Sequence, residues 1–168
     1  MDMYFSAKRQ TLAQFMEVYD PQRLHEVHGG STIVFDAMAH QSPQDRYDIV
    51  RFLIAQGAEL TGTNGENETL FHILFSRPKH NMAQTVELTK LLIDAGADTN
   101  QPDAKGRVAL QYLISHPKLT DRDMAPLYDL LFTRCRPDLS IKNVWGYTLI
   151  DLAQKLPYRA DLLRRMAE

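Results

Sequence analysis

The stretch Gly96-Ala97-Asp98-Thr99-Asn100 stands ten positions before Gly106-Arg107-Val108-Ala109-Leu110, and this step decides the fold. The same step leads from residues 57–60 (Gly-Ala-Glu-Leu) to residues 67–70 (Asn-Glu-Thr-Leu), and from residues 136–139 (Arg-Pro-Asp-Leu) to residues 146–150 (Gly-Tyr-Thr-Leu-Ile). A constant spacing from the end of one helix to the start of the next predicts one turn built three times. Self-similarity of this kind is typical of a solenoid of stacked repeats. A solenoid offers a binding surface instead of a catalytic pocket.

Four repeats follow from this frame. When Gly30, Asn67, Gly106 and Gly146 are taken as equivalent, the periods are 37, 39 and 40 residues. Each repeat is predicted to contain a helix, a loop, a second helix and an extended turn, with the added length in the loop. The chain is then one domain, residues 1–168. Residues 1–28 form N-terminal capping helices, and the repeats are residues 29–66, 67–105, 106–145 and 146–168, the last of which serves as the C-terminal cap.

Apolar periodicity and helix breakers predict where the helices lie. The first helices of the repeats are expected over residues 32–38, 69–74, 108–114 and 148–153, and the second helices over residues 47–57, 86–95, 125–133 and 158–167. Residues 6–19 and 21–27 are predicted to supply the N-terminal cap. Gly57 and Gly96 suit the left-handed position that closes a helix. Arg136 occupies the third such position, where it is expected to strain or reshape the turn.

Composition limits the classes of function. The chain has 168 residues, a net charge of -2 and a pI near 6.3, which do not indicate a general binder of nucleic acid. Its single cysteine, Cys135, excludes an internal disulfide and suits a reducing cytosol. The first residues lack the pattern of a signal peptide, and no stretch approaches the ~20 apolar residues of a membrane span. We therefore expect a soluble, cytoplasmic protein with no membrane partner.

The repeated segments resemble the ankyrin repeat. The family signature, glycine-any-threonine-proline-leucine-histidine-any-alanine, is matched in part by Gly30-Ser31-Thr32 with Ala37, Thr69 with His72, Gly106 with Leu110, and Gly146-Tyr147-Thr148 with Ala153. The signature proline is replaced by Ile33, Leu70, Ala109 and Leu149. The periods exceed the ~33 residues of the family, which implies longer loops between the helices. The resemblance implies an all-α, ankyrin-type solenoid that recognises another protein, with no implied activity.

The resemblance puts the partner-binding surface on the turn tips and the adjoining face of each first helix. The tips run from acidic through basic to aromatic, and the candidate residues are Glu66, Glu68, Arg77, Lys105, Arg107, His116, Trp145, Tyr147 and Lys155. Trp145 is the only tryptophan, and interface hot spots are enriched in Trp, Tyr and Arg. Two alternatives stay open. Trp145 could fold back to seal the end of the stack, and the charged tips could be solvated charges without a partner.

Histidines offer the main alternative chemistry. His25 and His28 lie three positions apart, but a metal site needs further ligands. His72 occupies the histidine position of the ankyrin signature, where the resemblance implies that the ring ties down the turn backbone. We predict no catalytic residue, metal or cofactor. A metal protein or enzyme remains an alternative, and it would use His25, His28 or the inter-helix residues His40, His80 and His116.

The role within protein binding is also open. The module could be an adaptor, or it could be a dedicated inhibitor such as an immunity-type protein. A structural role through self-association is a further alternative, although we expect a monomer in isolation. The sequence does not identify the partner, because a solenoid surface is not specific to one class of protein.

Overall fold

The computed structural model describes residues 2–168; residue 1, part of the predicted N-terminal cap, lies outside them. The described residues form ten α-helices, two short 3₁₀-helices and no β-strand, so the prediction of an all-α fold is confirmed. The 3₁₀-helices are Pro21–Arg23 and Pro157–Arg159. The α-helices are α1 (Met3–Arg9), α2 (Leu12–Val18), α3 (Ile33–Met38), α4 (Pro43–Ala55), α5 (Leu70–Phe75), α6 (Met82–Asp94), α7 (Leu110–Ile114), α8 (Asp121–Arg134), α9 (Leu149–Gln154) and α10 (Ala160–Ala167).

The helices stack in two rows. Each odd-numbered helix contacts the next odd-numbered helix, and each even-numbered helix contacts the next even-numbered one. We call the odd-numbered helices the inner row and the even-numbered helices the outer row. The inner helices are only five to seven residues long, too short to be stable alone. They are held by burial between their neighbours, as at Ile33, Phe71 and Leu113, which are fully buried.

Polar caps start three outer helices four residues earlier than predicted, and the first is α4, which begins at Pro43 after the Ser42 cap. Helix α6 begins four residues ahead of the predicted Val86, because the side chain of Asn81 accepts a hydrogen bond from the first turn. Helix α8 begins four residues ahead of the predicted Ala125, because Thr120 and Asp123 form a reciprocal capping box. These first turns carry polar residues, so apolar periodicity alone places these helix starts too late.

The helix ends follow the prediction in two cases and depart from it in the third. Gly57 and Gly96 have φ angles of 94° and 88° and close α4 and α6 in the left-handed conformation. In both, the amides of the glycine and of the following residue donate to carbonyls of the last helical turn. After α8, Cys135 is extended (φ -116°, ψ 162°), and Arg136 does not adopt a positive φ. The turn at Arg136 is therefore reshaped and unstrained.

The N-terminal segment forms a helix pair of its own. One helix is predicted over residues 6–19, but the structure has two, because Thr11 and Gln14 form a capping box that starts α2. Helix α1 packs on α3 and α2 packs on α4, so this pair covers the first repeat. Of residues 21–27, only Pro21–Arg23 is helical. At the other end α10 packs on α8 and α9.

Candidate partner-binding surface

The turns between the repeats are three copies of one hydrogen-bonded hairpin. Each is anchored by an Asn or Asp side chain, at Asn64, Asp103 and Asn143. The anchor amide donates to the carbonyl four residues later at 2.9 to 3.0 Å. Its Oδ1 accepts the amides of the second and fourth residues after it. The side chain thus satisfies the backbone of the turn locally, and the tip residues are free to point outward.

A left-handed residue completes each hairpin. Gly30, Asn67, Gly106 and Gly146 have φ angles of 89°, 58°, 71° and 85°. Asn67, Gly106 and Gly146 each lie three residues after the anchor, whereas Gly30 shares the left-handed φ but lies in a two-residue turn between His28 and Ser31. Asn67 is the only described residue other than glycine with a positive φ, and asparagine tolerates this conformation better than most side chains.

The tips bond to one another along the stack. The amide of Ala104 donates to the carbonyl of Glu66, and the amide of Val144 donates to the carbonyl of Lys105, each at 2.9 Å. Gly106 approaches the next hairpin so closely that a Cβ would lie 3.1 Å from the Cα of Asn143. We call this continuous border, residues 65–68, 104–107 and 144–147, the tip edge.

His72 has the structural role that was expected of it. Its Nδ1 accepts the backbone amide of Thr69 at 3.0 Å, so Nε2 carries the proton and donates to the carbonyl of Arg107 at 2.7 Å. The ring is fully buried. His72 therefore fixes the start of α5 to the neighbouring tip and is not available as a catalytic base.

Four of the predicted charged residues meet at one place on the tip edge. Glu66, Glu68, Lys105 and Arg107 line a cleft of about 130 Å³. The Nε of Arg107 lies 2.8 Å from the Oδ2 of Asp103. Burial favours the neutral form of Asp103, but hydrogen bonds from the backbone and side chain of Arg107 outweigh it and lower the pKa of that carboxyl. Arg107 is thus held within the turn, whereas Glu66 and Lys105 are exposed.

The last turn exposes apolar side chains on an anchored backbone. Val144, Trp145 and Tyr147 are 63%, 57% and 40% exposed. The Nζ of Lys155, at the end of α9, lies 3.6 Å from the centre of the Tyr147 ring, a cation–π contact. The alternative in which Trp145 folds back and becomes buried is not observed. We call these four residues the aromatic tip.

Arg77 and His116 lie in the inter-helix loops, away from the tips, and both side chains are engaged within the fold, so their role as contact residues stays a prediction. Arg77 is half-buried and donates to the carbonyls of Ala39 and Ile73, both at 3.1 Å. His116 is 4% exposed. Its Nδ1 accepts the amides two and three residues later, and its Nε2 donates to the carbonyl of Arg77 at 3.2 Å. Both side chains satisfy backbone groups that the loops leave without helical partners.

His40 and His80 are also used by the loops. The Nε2 of His40 lies 2.9 Å from the carbonyl of Gln10, and His80 bonds the hydroxyl of Thr85 and the carbonyl of Arg77. Burial lowers the pKa of His40, and it lowers the pKa of His80 to about 4. Both rings are therefore neutral near pH 7 and hold backbone atoms in place.

His25 and His28 are not brought together with further ligands. The ring of His28 stacks on Tyr4 with centroids 4.1 Å apart, and His25 is exposed. Across residues 2–168 no group of three or more His, Cys, Asp or Glu side chains is arranged to hold a metal ion.

Two buried arginines escaped the sequence analysis. Arg46 is 1% exposed and donates to the carbonyls of His40 and Lys79. Arg159 is 0% exposed, donates to three loop carbonyls at 2.8 to 2.9 Å, and lies 3.4 Å from the Oδ1 of Asp121. These arginines join the inter-helix loops across neighbouring repeats. We call the set His40, Arg46, Arg77, His80, His116 and Arg159 the loop ladder.

A groove beside the aromatic tip was also missed. Two hollows, of about 290 and 250 Å³, lie on either side of Ser115. Tyr112 and Pro117 line the first, and Leu152 and Tyr158 line the second, together with Lys155 of the aromatic tip. These residues come from successive repeats, so no local pattern in the sequence marks them.

The fold is similar to that of many solved structures, one of which matches nearly the whole chain. This match is the crystal structure of a functionally unknown protein from Leptotrichia buccalis, with a TM-score of 0.81 and 25% sequence identity over 98% of this chain and 90% of that chain. The sequence matches no protein-family model. None of the helices in the described part of the chain has the length and apolar character needed to cross a membrane. The similarity establishes the helical arrangement, and function has to be inferred from the surface.

Proposed function

We propose that this chain is a non-enzymatic protein-binding module that contacts a partner protein through the tip edge and the exposed side of the inner helices. The observation that supports this most strongly is Trp145, 57% exposed on a turn anchored by Asn143. Exposed apolar surface is unfavourable in water, and a partner that covers it recovers that free energy. An anchored turn also loses little conformational entropy on binding.

An ankyrin-type solenoid is the architecture we infer for this module. Three features support it: the repeated hairpin, the stacking of short inner helices, and the bond from His72 to the neighbouring turn. In such a stack the tips and the inner helices share one concave side. A partner can then touch several repeats at once, so its affinity is the sum of many modest contacts around a few hot spots.

The role within protein binding is either that of an adaptor or that of a dedicated inhibitor, for example an immunity-type protein. A dedicated inhibitor forms one stoichiometric complex and suppresses the activity of its partner. An adaptor captures several partners more weakly. We further propose that the free chain is monomeric and cytoplasmic, in keeping with its single cysteine. Light scattering of the free chain separates this proposal from a role in self-association.

Affinity capture from a lysate of the source organism tests the proposal. The baits are the wild type, a Trp145→Ala/Tyr147→Ala variant, and Met16→Ala as a control that removes an equally exposed apolar side chain from α2 in the outer row. We expect the wild type and the control to retain the same partner. The double variant should bind it about 30-fold or more weakly, because truncating one hot spot costs ~2 kcal/mol. Unchanged capture by a folded double variant would contradict the proposal.

A further inference from the structure

We propose that the groove beside the aromatic tip binds an acidic, extended segment of the partner protein. Apolar side chains of that segment enter the two hollows, and its carboxylates meet the lysines at their borders. This inference rests on the proposed function and specifies the chemistry of the partner.

The shape of the groove suits alternating side chains of one extended segment. The first hollow has the buried ring of Phe75 at its base, with Tyr112 and Pro117 beside it. The second is lined by Leu152 and by Tyr158, which is 56% exposed. Ser115 borders both hollows, and its small side chain leaves them connected. Each hollow has room for one apolar side chain of the size of leucine or phenylalanine.

A lysine lies at the border of each hollow. Lys118 borders the first hollow and Lys155 borders the second. Lys142 and Lys155 both lie near Asp151, whose pKa is lowered chiefly by its hydrogen bonds to Thr148 and further by these two ammonium groups. Across residues 2–168 none of the three lysines forms an ion pair. Their charges are therefore available to a ligand.

The carboxylates near the groove already accept hydrogen bonds within the chain. Asp103 pairs with Arg107, and Asp151 caps its own helix by accepting the amide of Thr148 at 2.9 Å. Asp121 lies 3.4 Å from the buried Arg159 and accepts two amides at the start of α10. The groove thus presents the exposed Lys118 and Lys155, while the nearby carboxylates are already hydrogen-bonded, although the whole chain carries -2. Charge complementarity selects an acidic ligand.

A polypeptide fits these features better than a nucleic acid does. The lysines flank apolar hollows, whereas a phosphate backbone requires a continuous row of basic residues. The acidic Glu66, which lies on the tip edge, opposes a long polyanion that runs beyond the groove. A short acidic segment with apolar side chains satisfies both the hollows and the lysines.

Selection from a random-peptide phage library on the immobilised full-length chain tests this inference. The most enriched peptide is then labelled with fluorescein, and its affinity is measured by fluorescence polarisation for the wild type, Lys118→Glu, Lys155→Glu and Ser115→Trp. Lys90→Glu, an exposed reversal on the outer helix α6, is the control. We expect enrichment of Asp and Glu around apolar residues. Each groove variant should bind roughly tenfold or more weakly, and the control should match the wild type.

Three results would overturn the inference: no enriched peptide or peptides without an excess of acidic residues, equal affinity for Ser115→Trp and the wild type, or displacement of the peptide by a single-stranded DNA oligonucleotide. Thermal melts of each variant verify that it is folded. Affinity capture with the same variants separates this inference from the proposed function. If Ser115→Trp retains the partner and the Trp145→Ala/Tyr147→Ala variant loses it, the inference fails and the proposed function stands. If both retain it, both fail.

Discussion

The tip edge and the loop ladder occupy opposite ends of the helices and satisfy the backbone between helices in different ways. At the tip edge an Asn or Asp at Asn64, Asp103 or Asn143 bonds the turn within five residues, with the same geometry three times. In the loop ladder some donors also reach other repeats: Arg159 donates to the carbonyl of Ile114 across 45 positions. Turns that are anchored by their own Asn or Asp leave the tip side chains exposed to solvent. Loops that are anchored by more distant side chains bury the arginines and histidines that serve as donors.

This difference explains why residues of the same type have different roles. Arg77 and His116 look suited to binding in the sequence, but the loops require them as donors. Trp145 and Lys105 lie on turns whose backbone is already satisfied, so their side chains remain exposed. Stability should therefore be concentrated in the loop ladder and recognition in the tip edge.

Replacing Arg159 by leucine is expected to have the largest effect on stability. The change leaves three buried carbonyls without donors and removes the partner of Asp121, which should cost about 3–5 kcal/mol in the free energy of unfolding. The control is Arg134→Ala, which breaks the exposed ion pair with Asp94 and should cost less than ~1 kcal/mol. Urea denaturation measures both. Equal losses would show that the loop ladder is not a centre of stability.

The second largest effect on stability is expected on acidification, which weakens the loop ladder. Burial holds the pKa of His80 at about 4, below its ordinary value of 6.5, so protons bind preferentially to the unfolded chain. The resulting stability is complete above pH 6.5 and is lost as the pH falls towards 4. We expect His80 alone to lower the free energy of unfolding by roughly 1–3 kcal/mol between about pH 7.5 and pH 5.

The pH dependence of His80→Gln isolates this contribution. Asp36, whose pKa burial raises to about 6, acts in the opposite direction, but it does so equally in both chains. Urea midpoints measured across this range should therefore fall less steeply for His80→Gln than for the wild type. Parallel curves would exclude His80 as a source of the pH dependence.

At the tip edge, Asn143→Ala should have a smaller effect that a conservative change rescues. Alanine leaves the amides of Trp145 and Tyr147 without their acceptor, at a cost of about 1–2 kcal/mol. Asn143→Asp keeps the acceptor, as Asp103 does in the preceding turn, and should remain near the wild type. Chemical denaturation and amide exchange of residues 144–147 test the pair. If both variants lose equal stability, the side-chain anchor is unimportant.

The regular half of the fold could be predicted because its determinants are local. The ten-residue step, the left-handed Gly57 and Gly96, and the equivalence of Asn67 with the turn glycines depend on neighbours in the chain. The anchors were equally visible, since an Asn or Asp precedes each left-handed residue by three positions from the second repeat onward. The role of these residues as anchors was nevertheless not predicted.

The rest could not be predicted, because its partners are distant in the chain. Nothing near Arg46 distinguishes it from an exposed arginine; its burial depends on the carbonyl of Lys79, 33 positions away. The groove at Ser115 likewise exists only after three repeats have stacked. Among the predicted contact residues, Glu66, Lys105, Trp145, Tyr147 and Lys155 are exposed, Glu68, Arg77 and Arg107 are half-buried, and His116 is buried. The inter-helix loops vary in length from repeat to repeat, whereas the tips do not. The loop backbone therefore takes up side chains such as Arg77 and His116 as hydrogen-bond donors.

Hydrogen–deuterium exchange of the full chain, free and bound to its captured partner, tests most directly whether recognition resides on the tip edge. We expect binding to slow exchange at residues 143–147 and in α9, while α4 and α6 in the outer row change little. Protection confined to the outer helices or to the inter-helix loops would contradict this assignment and put the binding surface on another face of the stack.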